Sequence, residues 1–464
     1  MTTSFEVPEF MAERPAPGEP RPYNFPDFEK RQLANGMKVI VAPVHTLPIV
    51  TVLVLVEAGA SADPRGREGT ANLVAGLLSE GTATMDGATI TESFERLGAA
   101  LNVHADWDAA IAKVTTLPAR LPEAMGLLSE VLRAPVFPER EVERLRAERL
   151  SDILQQRAEP RGLAEEMFDR FTYSPDSRYA LPADGDENSV NAITRDDVVQ
   201  FHSARYRSSS ATVVVAGDVT TDAAVALVEQ TFGDWAGEAA APVHVDDSPS
   251  RLERMTHLVH KAGAPQSEIR LGHVGLPRKH PDYFAVTVMN ALLGGLFNSR
   301  LNLNLRERNG YTYGANSAFD WRRDAGPFTA GAAVQSEVTA AAVREALAEM
   351  ERFAESPIPD EELSLALDYL EGVFPIRFET TGAIASALAG MVVYGLPDDY
   401  YDSYRSKVRA ITVNDVRRAA RAHLKLGSLQ LVVVGDTAAV KEPLAELRFG
   451  ELQVYDSQGN PIAS

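Results

Sequence analysis

Residues 192–218 read AITRDDVVQFHSARYRSSSATVVVAGD, and residues 410–436 read AITVNDVRRAARAHLKLGSLQLVVVGD. Aligned without a gap at a displacement of 218 residues, the two stretches share Ala-Ile-Thr at the start, Asp-Val and a later alanine in the middle, and Val-Val and Gly-Asp at the end. In both copies the threonine is placed to cap a helix, and the helix leads into an apolar strand that ends at the Gly-Asp turn. A repeat with so long a period predicts two homologous domains produced by duplication rather than a solenoid.

The length of 464 residues agrees with this prediction, because it exceeds what one hydrophobic core usually supports. We therefore predict an N-terminal domain over residues 29–236 and a C-terminal domain over residues 251–464, joined by a linker over residues 237–250 that is rich in Ala, Pro and Asp. Residues 1–28 carry repeated prolines, which predict an extended arm. Two like domains usually enclose a cleft, and clefts between domains are where ligands bind.

Local patterns predict interleaved strands and helices in the N-terminal domain. The turn signal Asn35-Gly36 predicts a β-hairpin over residues 31–44. Residues 49–56 are rich in β-branched side chains, which predicts a strand buried on both faces. Helical spacing of apolar residues recurs over residues 73–78, 90–97, 122–132 and 142–154.

The composition excludes several classes of protein. The chain has 45 Lys and Arg residues against 65 Asp and Glu residues, and the formal charge of -20 disfavours general binding to nucleic acids or anionic membranes. We interpret the excess acid chiefly as a solubilising surface, and the alternative is an acidic interior that attracts basic peptides. The absence of cysteine excludes disulfides, thiolate zinc ligands and cysteine nucleophiles.

The sequence also bears on location. Its longest apolar run, residues 47–56, is about half of the roughly 20 residues that a membrane-spanning helix needs. The N-terminus lacks the basic start and apolar stretch of a signal peptide. We therefore expect no membrane insertion and a cytoplasmic protein, or a periplasmic one if the sequence is that of a processed form.

The nine histidines do not form a recognisable metal motif, because neither His-Glu-x-x-His nor His-x-x-Glu-His occurs. His257 and His260 lie in a predicted strand, where positions three apart point to opposite faces, and this disfavours a shared metal ion. His104, beside a tryptophan on another predicted strand, is interpreted as a half-buried structural residue. P-loop, Rossmann and nucleophile-elbow motifs are also absent, so these patterns indicate no complete catalytic site.

Residues 69–82, GTANLVAGLLSEGT, resemble the catalytic helix of the pitrilysin/insulinase-type peptidases, the inverzincins, which read roughly Gly-Leu-Ala-His-x-x-Glu-His-x-x-x-x-Gly-Thr. Where that family has its first zinc histidine, its general base and its second zinc histidine, this sequence has Asn72, Ala75 and Gly76. The third ligand of the family, a glutamate, would fall on Ser151, Asp152 or Ile153, with Glu148 one turn earlier. The resemblance therefore implies a degenerate zinc site and no metal or other cofactor bound by this chain.

Residues 293–301, LGGLFNSRL, and 305–313, LRERNGYTY, resemble the C-terminal-domain signature of the same family. In that family an arginine and a tyrosine seven positions apart approach the active centre, and the matching residues here are Arg306 and Tyr313. The glycine pair Gly294-Gly295 is interpreted either as a hinge or lid for peptide contact or as a helix C-cap.

Physically, we expect Ser299 to cap a helix that ends near Arg306, and the Asn309-Gly310 turn to lead into a strand that starts at Tyr311. Both Arg306 and Tyr313 would then project into the inter-domain cavity. Without the surrounding signature, a local ion pair for the arginine and packing in the strand for the tyrosine would be preferred.

The resemblance extends over almost all of the chain after about residue 29, through weaker landmarks at residues 135–141, 360–363 and 394–400. It implies an α+β fold with two homologous domains, each a mostly antiparallel sheet covered by helices, facing each other across a central chamber. The size suggests the half-length branch, similar to mitochondrial processing peptidase, in which one subunit carries zinc and its homologue does not.

This resemblance implies a non-catalytic subunit of a heterodimeric zinc metallopeptidase. A homologous zinc-bearing partner would hold the metal and the base, while Arg306 and Tyr313 bind the peptide and stabilise the oxyanion at the partner's site, with Gly294 and Gly295 among the substrate-binding residues. Two alternatives stay open: a catalytically inactive scaffold within a larger complex, and a homodimer that binds peptides without cutting them.

Overall fold

The computed structural model describes residue 18 and residues 22–462, so most of the arm predicted over residues 1–28 lies outside the described residues. Residues 22–28 form neither helix nor strand. Tyr23 and Phe25 pack against aromatic side chains far along the chain, with Phe25 stacked at 4.6 Å on Tyr401 and edge-on to Phe378 at 5.2 Å. This segment is therefore tied to the second half of the chain.

The first sheet contains six strands in the order β1-β2-β6-β3-β5-β4. The strands are β1 Glu29–Gln32, β2 Lys38–Pro43, β3 Val50–Val56, β4 Leu101–Ala105, β5 Ala110–Thr116 and β6 Ala211–Gly217. Only the β2–β6 pair is parallel. The predicted hairpin is formed by β1 and β2, and every residue of β3 is buried, so both predictions are confirmed.

The second sheet repeats this arrangement, in the order β12-β7-β11-β8-β10-β9. Its strands are β7 Met255–His260, β8 Gln266–Val274, β9 Ala315–Phe319, β10 Pro327–Gln335, β11 Gln430–Gly435 and β12 Glu451–Tyr455. Strand β7 is parallel to both β11 and β12, and the other pairs are antiparallel. The fold is thus α+β with two similar, mostly antiparallel sheets, as predicted.

Helices cover both sheets. In the first half they are α1 Thr70–Leu77, α2 Gly87–Arg96, α3 Leu121–Arg133, α4 Glu139–Ala158, α5 Pro160–Thr172, α6 Glu187–Ala192, α7 Arg195–Arg205 and α8 Thr221–Phe232. In the second half they are α9 Tyr283–Asn290, α10 Arg300–Asn302, α11 Thr339–Glu355, α12 Asp360–Val373, α13 Thr381–Tyr394, α14 Tyr400–Arg409, α15 Val413–His423 and α16 Thr437–Glu446. Two π-helical segments, Ala291–Gly295 and Leu303–Arg308, extend α9 and α10. The segment 237–250 forms no helix and no extended strand.

The duplicated stretch forms the same structure in each half. Thr194 and Thr412 each accept a hydrogen bond from the backbone N–H three residues later and form a capping box with an aspartate there. Helices α7 and α15 follow, and the chain then enters β6 and β11, the third strand of each sheet, in which every residue is buried. The local prediction from the repeat is confirmed in both copies.

Two helices are exchanged between the halves. Helix α5, from the first half, packs on β11 and β8 of the second sheet, where Leu163, Met167 and Phe168 join one buried apolar cluster with Val432 and its neighbours. Helix α13, from the second half, packs on β3 and β6 of the first sheet. A 2.8 Å hydrogen bond between the hydroxyls of Thr51 and Thr381 crosses this second contact. Each half therefore supplies part of the apolar cover of the other.

Within the described residues, no single helix is long and apolar enough to cross a membrane, although α12 and α13 together, bent by 110°, meet the length and composition of a broken span.

Candidate functional site

A buried carboxylate holds the start of helix α1. Asp63 accepts the backbone N–H groups of Gly69 and Ala71 at 2.8 and 2.7 Å and pairs with the Arg178 guanidinium at 3.0 Å. Burial raises the pKa of Asp63 to about 6, against the opposing effect of the guanidinium. Gly69 has φ +98°, and a Cβ there would lie 2.6 Å from the carbonyl oxygen of Asp184, so this position requires glycine. The start of helix α1 is therefore anchored by an ion pair and by a close backbone contact.

The chemical groups on α1 are unsuited to zinc. The Asn72 amide donates to the carbonyl of Ala183 at 3.4 Å, Ala75 is buried, and Gly76 lies on the helix surface with no donor atom. Zinc in proteins is held by imidazole, thiolate and carboxylate groups, and α1 presents none of them at these three positions.

Helix α4 does not supply the missing ligands. Arg149 occupies the space next to the loop that Asn72 contacts, pairing with the Asp184 carboxylate at 2.6 Å and donating to the Asp184 carbonyl. Of the positions considered for the third ligand, Ile153 is buried, Ser151 bonds within its own helix, Glu148 pairs with Arg144 and Asp152 is exposed. A cation beside an amide cannot replace two imidazoles and a carboxylate, so the residues present do not fit zinc.

Arg306 and Tyr313 lie on opposite sides of a turn that follows α10. The Arg306 guanidinium stacks 4.7 Å above the ring of Phe297 and is 3.5 Å from the Glu307 carboxylate, with 35% of its side chain exposed. Tyr313 is 94% exposed and lines a cavity. Arg306 is not part of that lining, but Phe297, on which it stacks, is. Tyr313 thus borders the cavity, whereas Arg306 lies outside its lining.

Two local expectations around this turn are wrong. Ser299 precedes α10, but its side chain makes no capping hydrogen bond, and its buried hydroxyl has no partner among the described residues. The next strand, β9, begins at Ala315 rather than at Tyr311, because the polar sequence of residues 311–314 forms a loop before the sheet is reached. That loop is what leaves Tyr313 free of the sheet.

Gly294 and Gly295 end the π-helical extension of α9. A Cβ at Gly294 would lie 2.3 Å from the Ser317 hydroxyl and 2.4 Å from its backbone nitrogen. This glycine therefore lets the end of the helix touch strand β9, and both glycines line the same cavity as Tyr313.

The cavity next to Tyr313 has a volume of about 740 Å³, and a second cavity of about 650 Å³ lies beside α4. Both are lined by Arg161, Glu165 and Asp169 of helix α5, so they meet along that helix. The larger one is bounded by the second sheet and by the segment around Phe297, and the smaller one reaches Arg149 of α4. We call the two cavities together the α5 trough.

Acidic groups dominate the smaller cavity of the α5 trough. The smaller cavity is lined by six carboxylates, Asp152, Glu159, Glu165, Glu166, Asp169 and Asp186, against two guanidinium groups, Arg149 and Arg161. Desolvation raises the pKa of Asp169 to about 6, while Arg322, 3.8 Å away, opposes this effect. An acidic trough of this kind attracts cationic ligands.

Arg322 joins the two halves at the inner end of the larger cavity. Its guanidinium lies 4.3 Å from the ring of Trp107 and 4.6 Å from the ring of Tyr179, both from the first half. Next to it, the backbone N–H of Arg323 donates to Asp108 at 3.0 Å. Cation–π contacts and a charge-assisted hydrogen bond therefore fix the seam from which the α5 trough opens.

Comparison with known proteins supports what the geometry indicates. Residues 38–178 match the family described as Insulinase (Peptidase family M16), and residues 192–370 match the Peptidase M16 inactive domain. The chain belongs to peptidase family M16.

Relatives of the M16 protein described here differ in the activity their names suggest. An "Uncharacterized zinc protease" of Streptomyces coelicolor is 24% identical over 84% of this chain and 85% of its own. A "Non-peptidase homolog" of Helicobacter pylori is 23% identical over 86% of this chain and 91% of its own. A "Probable mitochondrial-processing peptidase subunit beta" of Schizosaccharomyces pombe is 27% identical over 58% of this chain and 59% of its own.

The fold of this M16 homologue is also that of a solved structure. The crystal structure of a peptidase M16 inactive domain from Pseudomonas fluorescens superposes with a TM-score of 0.83, at 27% identity, over 89% of this chain and 99% of that one. The half-length M16 architecture is therefore shown.

The residues named from the sequence do not all meet in one place in this M16 homologue. Gly294, Gly295 and Tyr313 line one cavity, whereas Asn72, Ala75 and Gly76 line none of the cavities described above. Sequence analysis missed Arg149, Asp169 and Arg322, because each acquires its partner from a distant part of the chain and carries no local motif.

The histidines singled out from the sequence have structural roles. His257 is buried between Tyr455 and Gln430, which contact its two ring nitrogens at 3.1 and 3.0 Å, and His260 pairs with the Thr437 hydroxyl. His104 is exposed rather than half-buried, because it lies on the edge strand β4 and points away from the core.

Proposed function

We propose that this M16 homologue is the non-catalytic subunit of a heterodimeric zinc metallopeptidase. Two observations together carry the proposal: α1 is anchored but presents no zinc ligand at residues 72, 75 and 76, and Tyr313, 94% exposed, lies at the wall of a large cavity. Without a zinc ligand on α1, this chain is not expected to hydrolyse peptides alone. The exposed Tyr313 hydroxyl has no hydrogen-bond partner within the described residues, so it is available to a ligand.

The absence of a metal ligand and a general base on α1 argues against peptide hydrolysis by this chain alone. Water needs a bound cation or a base to attack an amide at neutral pH, and Asn72, Ala75 and Gly76 offer neither. The names of relatives include both zinc proteases and a non-peptidase homologue, which agrees with loss of activity in one branch of related proteins. We assign zinc and base to a homologous partner subunit.

Tyr313 and Arg306 carry the contribution of this chain. Within the described residues the Tyr313 hydroxyl forms no hydrogen bond, so it is available to donate to an oxyanion on a bound peptide. The ring of Phe297 supports one face of the Arg306 guanidinium and Nε faces Glu307, so the terminal N–H groups remain to donate to peptide carbonyls or a carboxylate. Gly294 and Gly295 give a peptide backbone close access to the cavity wall.

The charge of the α5 trough favours a peptide with basic side chains. Carboxylates exceed guanidinium groups three to one in the lining of the smaller cavity. The acidic composition thus contributes to substrate attraction as well as to solubility. The peptide would lie along α5, between the degenerate site and Tyr313.

The test is the variant Tyr313→Phe in the complex assembled with a zinc-bearing homologue. Loss of one preorganised donor should lower kcat on the order of a hundredfold with a smaller change in KM, because the bond forms mainly in the transition state. Tyr369→Phe is the matched control, since Tyr369 is also exposed, at 52%, but lies on α12 and lines neither cavity. Equal kcat for the two variants would refute the role of Tyr313.

A second candidate is a binding or scaffold protein without any peptidase partner, which the name of the Helicobacter pylori relative favours. The two functions are separated by mixing the purified chain with zinc-bearing M16 homologues and following peptide cleavage. The subunit hypothesis predicts cleavage only in a mixture. Saturable peptide binding with no product in any mixture would instead support the scaffold.

A further inference from the structure

A histidine–aspartate–histidine cluster lies in the second half, away from α1 and from the α5 trough. His280 and Asp282 are in the segment before α9, and His423 is the last residue of α15. One ligand atom from each of the three side chains lies within 4.8 Å of the other two, and it is the one such group found within the described residues. Zinc sites commonly combine two imidazoles with a carboxylate.

The framework that carries the cluster is rigid. Helices α9 and α15 pack directly on each other, so the loop before α9 and the end of α15 are held together. All three side chains are half-buried, which reduces competition from water without closing access. The cluster also lies at the C-terminal end of α15, where the helix dipole favours a positive charge.

The hydrogen bonds of the cluster identify the atoms available to a metal ion. Nδ1 of His280 accepts the backbone N–H of Asp282 at 3.1 Å, so this nitrogen carries a lone pair, and a metal ion bound there replaces that contact. The Asp282 carboxylate accepts a hydrogen bond from Arg418 at 2.8 Å and lies 2.7 Å from Nε2 of His423. The cluster thus presents imidazole nitrogens and a carboxylate oxygen close together.

The first half lacks this cluster in its own copy of the helix. The residue that corresponds to His423 at the repeat displacement is Arg205, whose guanidinium donates to the carbonyl of Ala241. Helix α7 ends there without a histidine, yet it has the same cap and leads to the same strand. The histidine is therefore not required by the fold.

We propose that His280, Asp282 and His423 form a binding site for a divalent transition metal ion such as Zn²⁺. Arg418, 2.8 Å from Asp282 and 53% exposed, is the group that the ion displaces, and its exposed side chain swings to solvent. His423, 2.7 Å from the same oxygen, exchanges that contact for a bond to the metal.

The experiment uses the full chain, freed of metal by a chelator and titrated with Zn²⁺ by calorimetry and with Co²⁺ by visible absorption. We expect one ion per chain and a Co²⁺ d–d band. His280→Ala and His423→Gln should each weaken binding about tenfold or more, with circular dichroism reporting that both variants are folded.

The controls separate this site from others. His45→Gln removes an exposed histidine that pairs with Asp218 at 2.7 Å but has no third ligand, and it should leave binding unchanged. Asn72→Ala should also have no effect, which excludes binding at α1. Arg418→Gln should tighten binding, because it removes the competing cation.

Equal affinity in His280→Ala, His423→Gln and the unaltered chain would overturn the proposal, and so would the absence of binding at micromolar Zn²⁺. Weaker binding in Arg418→Gln would contradict the displacement. None of these measurements depends on peptidase activity, so failure here leaves the proposed subunit function untouched.

Discussion

At the residue scale, the site combines one exposed side chain that makes no hydrogen bond within the described residues with several side chains that are held by ion pairs or aromatic contacts. Tyr313 is free because the loop of residues 311–314 keeps it out of β9. Asp63 and Arg178 are engaged in a buried ion pair that supports α1. Arg322 is engaged by two aromatic rings and by carboxylates around the α5 trough. The free residue lies where a peptide would pass, and the engaged ones fix the walls.

Asp169 makes the stability of the protein depend on pH. Its pKa is about 6 in the folded chain and 3.8 in the unfolded reference, because desolvation disfavours the charged form. Between these values the unfolded chain has lost the proton that the folded chain keeps, so this group's contribution to the free energy of unfolding falls as pH rises from about 4 to 6. Asp169→Asn removes this negative contribution, so the slope of the free energy of unfolding against pH should become more positive in this window.

The measurement is urea unfolding at several pH values between 4 and 7, with Asp222→Asn as the control because Asp222 is exposed on α8. Only the slope is compared, since removal of the carboxylate also changes the surroundings of Arg322. An identical slope in the Asp169 variant and the unaltered chain would show that this carboxylate is not desolvated.

At the scale of secondary-structure elements, the duplicated helix and strand fold alike wherever the sequence is alike. Differences arise at the ends of elements, where the chain enters loops. The end of α9 is set by Gly294, which touches strand β9, and the loop that carries Tyr313 leads into that same strand. The position of the proposed hydrogen-bond donor is thus coupled to one close contact between backbones.

Gly294→Ala should test this coupling. The added methyl would lie 2.3 Å from the Ser317 hydroxyl, and the resulting shift should cost about 1–3 kcal/mol of stability. Gly390→Ala is the matched control, because a methyl group in the middle of α13 meets nothing within 4 Å and should stabilise by about 0.5–1 kcal/mol. Thermal unfolding of both variants measures the difference, and equal melting temperatures would contradict the close contact.

At the scale of the whole molecule, the two halves are similar but not independent. Helix α5 covers the second sheet and α13 covers the first, so each half lacks part of its apolar cover when it is alone. The same exchange creates the α5 trough, because α5 is both a cover for the second sheet and a wall of the cavities. Folding and the candidate site therefore share one element.

A fragment of residues 29–236 should accordingly fail to reach native packing. Without α13, the faces of β3 and β6 that include Leu53, Leu55 and Val214 would be exposed to water. We expect the fragment to bind a hydrophobic dye and to unfold without a sharp transition, while the full chain unfolds in one.

A full chain cleaved by protease at a site inserted into residues 237–250 is the control, because it retains both halves. It should stay associated and unfold cooperatively. Cooperative unfolding of the isolated fragment at the stability of the full chain would show that the exchanged helices are dispensable.

The particular residues explain why sequence analysis succeeded and failed. The caps at Thr194 and Thr412 and the buried strand β3 were predictable, because each depends on neighbours within a few positions. The side chains of Arg149 and Arg322 were not, since their partners are far away in sequence. Ser299 was misjudged for the reason that a good capping residue need not form the cap.

The sequence by itself determined that the fold is repeated and that Asn72, Ala75 and Gly76 of α1 offer no imidazole, thiolate or carboxylate group. A repeat and the chemical type of a side chain are properties of the amino-acid sequence, so they can be recognised without a three-dimensional structure. Only the tertiary structure decided that α5 and α13 change places, that acidic groups collect along α5, and that Tyr313 stands free while Arg306 rests on Phe297. These features depend on packing between apolar surfaces that are far apart in the sequence, and a local sequence pattern does not predict which of those surfaces will pack together.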